Sequence, residues 1–88
     1  MKKALGLIEV RGLATAIEVA DLMMKHANIQ LYKKYNGDAA LSTILIEGDL
    51  VSVQLALNIG KQLAERLGTL ICCTCIPRPE SILYDLVS

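Results

Sequence analysis

Cys72, Cys73 and Cys75 fall within four residues of one another near the end of this 88-residue chain. Thiolates at that density could hold a metal. Along a strand, however, successive side chains alternate, so Cys73 and Cys75 share one face and Cys72 opposes them. They cannot converge on one ion, and a four-ligand zinc site would need a distant partner such as His26. The better reading is of small apolar residues filling a buried strand, with no metal and no cofactor. The odd count and crowding give no disulfide framework, which suits a reducing, cytoplasmic compartment. His26 is the only histidine and reads as a cation at a helix end. Glu9, Glu18, Asp21 and Glu47 show no spacing for general acid–base work, and neither a P-loop nor GxGxxG is present. No catalytic residue emerges, so the chain is not read as an enzyme.

The chemistry that remains lies in Tyr32 to Asp49, YKKYNGDAALSTILIEGD. It reads as strand, turn, strand, with β-branched and aromatic residues flanking Asn36-Gly37-Asp38-Ala39-Ala40. Asn-Gly tolerates positive φ and marks the turn. The tip is small and polar, free to face something other than this chain's core.

The elements that must hold this loop follow in order. Ala4–Val10 is a strand. Leu13–Lys25 is a helix, its buried stripe read as Leu13, Ile17, Ala20 and Met24, with Asn28 placed to close it. Asp49 caps a second helix, Leu50–Leu67, whose buried stripe reads Val53, Leu57, Gly60, Ala64 and Leu67. Leu55 and Ile59 lie off that stripe and imply a second contact. Gly68 stops the helix, Thr69–Ile76 is the last strand, and Pro77-Arg78-Pro79 ends it. Glu80–Val87 is read as a short terminal helix. The order βαββαβ implies an α+β sandwich of ferredoxin-like type: a four-stranded antiparallel sheet with two helices on one face, forming one domain over residues 1–88.

Composition bounds the function. Nine basic and nine acidic residues give zero formal net charge, which argues against nucleic acid. Hydrophobic residues make up 53% and the mean hydropathy is +0.45. No apolar run reaches the ~18 residues needed to span a bilayer, and Glu9 and Arg11 interrupt the first segment too early for a signal peptide. A chain of this size buries only roughly 60–65% of its unfolded surface. The strands do not alternate cleanly either: Leu41 and Leu45 oppose Ile44 and Ile46, and Leu70 and Cys72 oppose Ile71 and Cys73. The apolar surplus therefore needs a partner surface, and another copy of the chain is the first expectation.

ALGLIEVRGLATAIEVADLMMKHANIQL opens the chain, TILIEGDLVSVQLAL occupies its middle, and IPRP follows the last strand. Together they resemble the bacterial microcompartment shell-protein family, of the single-domain kind, from Ala4 to Pro79. The resemblance implies a structural protein: cyclic homohexamers that tile edge to edge, with other shell proteins, into a sheet enclosing enzymes. It also implies a pore on the sixfold axis lined by the loop Asn36, Gly37, Asp38, Ala39 and Ala40, and a hexamer edge built from Lys25, Asn28 and Arg78. The family commonly carries lysine, isoleucine, glycine, serine, glycine in the loop, so this chain departs there, and which residue forms the constriction stays open. Asp38 either faces the axis, giving an acidic, cation-preferring ring, or turns back to its own loop amides. A metabolosome is preferred over a carboxysome on the IPRP exit. The alternative function is a ferredoxin-like regulatory domain that binds a small molecule; a third, an acylphosphatase-type enzyme, lacks its phosphate loop.

Overall fold

The computed structural model describes residues 3–36 and 40–77, with backbone alone for 33–36. Its elements are β1 (Ala4–Arg11), α1 (Leu13–His26), β2 (Gln30–Asn36), β3 (Leu41–Gly48), α2 (Leu50–Arg66) and β4 (Leu70–Ile76). The sheet runs β2-β3-β1-β4 with every neighbour antiparallel. Each helix thus joins two strands with a third slotted between them, the split βαβ arrangement that the element order implies. The terminal helix read at Glu80–Val87 lies outside the described residues.

The core forms between sheet and helices. Ala4, Ile8 and Val10 of β1 and Ile44 and Ile46 of β3 alternate onto one face and meet Ala16, Val19 and Met23 of α1 and Val53, Ala56, Leu57 and Ala64 of α2. Gly60 lets the helices touch, since a Cβ there would lie 2.7 Å from Met23 Sδ and 3.1 Å from Val19 Cγ1. On the other face Leu5 and Leu45 are also buried, so the imperfect alternation seen in the sequence reflects burial on both sides of the sheet.

Asp49 caps α2 as expected, its Oδ2 accepting from the Ser52 amide at 3.1 Å. The Ser52 hydroxyl and then its amide hold the Asp49 carboxyl below its ordinary 3.8. The α1 cap differs from expectation: Ala27, not Asn28, closes the helix, its amide donating to the Met23 carbonyl.

Several side chains face otherwise than their periodicity suggested. On α1 the buried stripe is Ala16, Val19 and Met23, while Leu13, Ile17 and Met24 are about half exposed. Both stripes have helical spacing, and periodicity alone cannot say which one meets the sheet. Leu67 at the end of α2 is likewise exposed. A bulge opposite Glu9 and Val10 places Leu70 beside Val10, on the core side with Cys73 and Cys75. Leu70 and Cys72 therefore do not share a face. Cys72 is exposed rather than buried.

A loop and an edge at opposite ends of one helix

The candidate residues separate along α1. At its start, the Gly12 amide donates to the Ala40 carbonyl at 2.6 Å, joining the helix to the base of the β2–β3 loop. Gly12 takes φ 98°, a conformation that glycine adopts without a Cβ penalty. Ala40 takes φ 62°, and no other non-glycine residue with positive φ occurs among the described residues. This is the position at which the resembled family carries its last loop glycine, so the glycine-like backbone persists without the glycine. Asn36 ends β2 opposite Ser42. Gly37, Asp38 and Ala39 lie outside the described residues.

At the far end of the helix, roughly 20 Å away for 14 residues, Lys25 and His26 occupy the last turn, where positive charge suits the helix dipole. Lys25 Nζ lies 3.0 Å from Asp21 Oδ2, and both side chains are largely exposed. Asn28 follows, lining a groove of about 200 Å³ with Lys3, Gln30, Glu47, Gly48 and Asp49. Lys3 and Glu47 pair across it at 3.6 Å. β4 ends at this same pole, since Ile76 stands opposite Leu5. Arg78, two residues on, is outside the described residues. Lys25 and Asn28 are thus brought to one pole and Ala40 to the other.

Between the poles runs the stripe that helical spacing had assigned to the core. Val19 and Met23 turn to α2, so Leu13, Ile17 and Met24 lie on the side of α1 away from α2, above the β2 edge. Leu31 on β2 is 40% exposed there. The opposite, β4 edge carries Leu67 and Ile71, also exposed.

The cysteines make no shared site. Among the described residues no group of three or more His, Cys, Asp and Glu side chains is placed to hold a metal. Cys73 and Cys75 sit partly buried against the core, and burial pushes both thiols up. Cys72 stands on the outer face, its Sγ 3.9 Å from Glu9 Oε1, while Thr43 Oγ1 donates to Glu9 Oε2 at 3.1 Å. Burial first, then the Glu9 charge and hydrogen bond, push the Cys72 thiol up. No helix among the described residues is long and apolar enough to cross a membrane.

The BMC domain family model matches residues 4–79, nearly the whole chain. The chain belongs to the bacterial microcompartment (BMC) shell-protein family. Among its relatives, the bacterial microcompartment shell protein EutM of Salmonella typhimurium is 36% identical over 84 residues, covering 96% of this chain and 88% of that one. The shell protein PduA of the same organism is 36% identical over 80 residues, covering 91% and 85%. EutK, also of Salmonella typhimurium, is 41% identical over 80 residues, but this chain spans only 49% of it. A crystal structure of a microcompartment protein from Desulfitobacterium hafniense superposes with a TM-score of 0.89 at 31% identity, covering 97% of this chain and 48% of that one. The relatives are named as components of a bacterial microcompartment shell, and this BMC chain is a member of that shell-protein family.

Proposed function

We propose that this chain forms cyclic homohexamers that tile edge to edge, with other shell proteins, into the wall of a cytoplasmic microcompartment enclosing enzymes. The loop 36–40 lines a central pore for small metabolites, and Lys25, Asn28 and Arg78 form the hexamer edge. One observation supports this reading: Gly12, just before α1, bonds Ala40 at the loop base, and Lys25 sits in the last turn of α1, with an exposed apolar stripe between them. A spoke of that kind leaves the loop for the axis and the lysine for the rim.

The two sheet edges are unlike. Leu13, Ile17, Met24 and Leu31 lie on the β2 side, and Leu67 and Ile71 on the β4 side. Two different patches on opposite edges favour a head-to-tail contact, which closes into a ring, over a self-complementary dimer. Six copies of Asp38 near the axis would favour cations, and Asp38→Asn then shifts selectivity towards anions. Zero net charge fits neither nucleic acid nor an anionic membrane surface as partner.

Native mass spectrometry of the purified protein tests the ring. A six-chain species is expected, and monomers or dimers alone at micromolar concentration contradict it.

A further inference from the structure

Arg11 ends β1 next to Gly12, the residue bonded to the loop base. Ile8 and Val10 are fully buried towards the helices, so Glu9 and Arg11 alternate onto the outer face of the sheet. Arg11 stands opposite Leu41, the first residue after the loop. It is exposed, and among the described residues no carboxylate pairs with it. Among the described side chains on that face, Glu9 and Glu47 already have partners. Glu9 accepts from Thr43 and contacts the Cys72 thiol, and Glu47 pairs with Lys3 at the far pole.

We propose that Arg11 is a specificity residue of the pore: six guanidinium groups form a basic collar around its mouth on the outer sheet face and draw in small carboxylate or phosphate anions. The inference rests on the hexamer-and-pore reading above. Guanidinium keeps its charge at any physiological pH and offers a planar fork of donors matched to carboxylate and phosphate oxygens. A ring of one sign at a narrow opening raises the local concentration of the opposite ion. Anions are then gathered at the mouth, so passage depends on the charge a metabolite carries.

Planar-bilayer recordings under a potassium chloride gradient test the collar on wild type, Arg11→Gln and Arg11→Lys, each first checked for six-chain species. Arg11→Gln is expected to shift the reversal potential towards the cation limit, whereas Arg11→Lys stays near wild type. An unchanged potential in the glutamine variant, or equal shifts in both variants, overturns the collar while leaving the ring standing. A wild type without six-chain species overturns the ring reading and the collar with it.

Discussion

The Gly12 amide and the Ala40 carbonyl meet at 2.6 Å, and both residues hold positive φ. The base of the loop is therefore fixed to the first turn of α1 by two strained-for-most-residues conformations, only one of which is occupied by glycine. The left-handed region costs a residue with a Cβ roughly 1–2 kcal/mol. Ala40→Gly removes that penalty and gives back some chain entropy, for a net stabilisation of up to about 1 kcal/mol. Gly12→Ala loses at least about 1 kcal/mol. Urea denaturation of both variants checks the opposite signs.

The fold was legible because its signals were local. Asp49 three residues ahead of Ser52 and Pro77 after β4 each fix an element end through nearby backbone. The faces were less legible. Ala16, Val19 and Met23 are smaller or no more apolar than Leu13, Ile17 and Met24, so hydropathy pointed to the wrong stripe of α1 as the core. Because subunit interfaces between like chains are more apolar than ordinary surface, helical spacing of apolar residues does not by itself separate a core stripe from an exposed one. The crowding of Gly60 against Met23 and Val19 decides between them, and that pairing is invisible without the tertiary contact. The bulge that turns Leu70 to the core side was hidden for a related reason, since nothing in LICCTCI marks an extra residue. Of the site residues, Lys25 and Asn28 could be named from the resemblance, but the exposed Arg11 beside the loop base needed the sheet register.

Lys25 Nζ rests 3.0 Å from Asp21 Oδ2 on an exposed helix face, an arrangement that contributes little to stability. In the proposed sheet the ammonium would exchange that partner for carbonyl oxygens of a neighbouring hexamer. Lys25→Ala is expected to leave six-chain rings intact in solution and abolish sheets, because a small loss per edge repeats across the lattice. Electron microscopy of the variant checks this, and loss of the ring itself would place Lys25 inside it.

The Asp49 cap ties stability to acidity. Its carboxyl is lowered in the folded chain by the Ser52 hydrogen bonds, so the unfolded state binds the proton more readily. The cap's charge-dependent contribution is then fully present at neutral pH and is lost as pH falls below 3.8 through the lowered folded value. The melting-temperature gap between wild type and Asp49→Ala should be constant above about pH 5 and narrow below it. A gap that widens on acidification contradicts this.

Cys72 is exposed yet held in its thiol form by burial and by Glu9. Thiolate is the reactive species, so the carboxylate should slow alkylation. Glu9→Gln keeps an acceptor for Thr43 but removes the charge. Iodoacetamide labelling followed by peptide mass spectrometry is expected to show faster modification of Cys72 in the variant at neutral pH. An equal rate would mean that Glu9 does not govern the thiol.

The central claim is an orientation, with the loop on a sixfold axis and the end of α1 at the rim. A cryo-electron microscopy map of the assembled protein measures it directly as the distance of Ala40 and Lys25 from the symmetry axis. Ala40 is expected close to the axis and Lys25 at the perimeter, their radial separation approaching the roughly 20 Å length of α1. Lys25 nearer the axis than Ala40, or an assembly without a sixfold axis, would contradict the account.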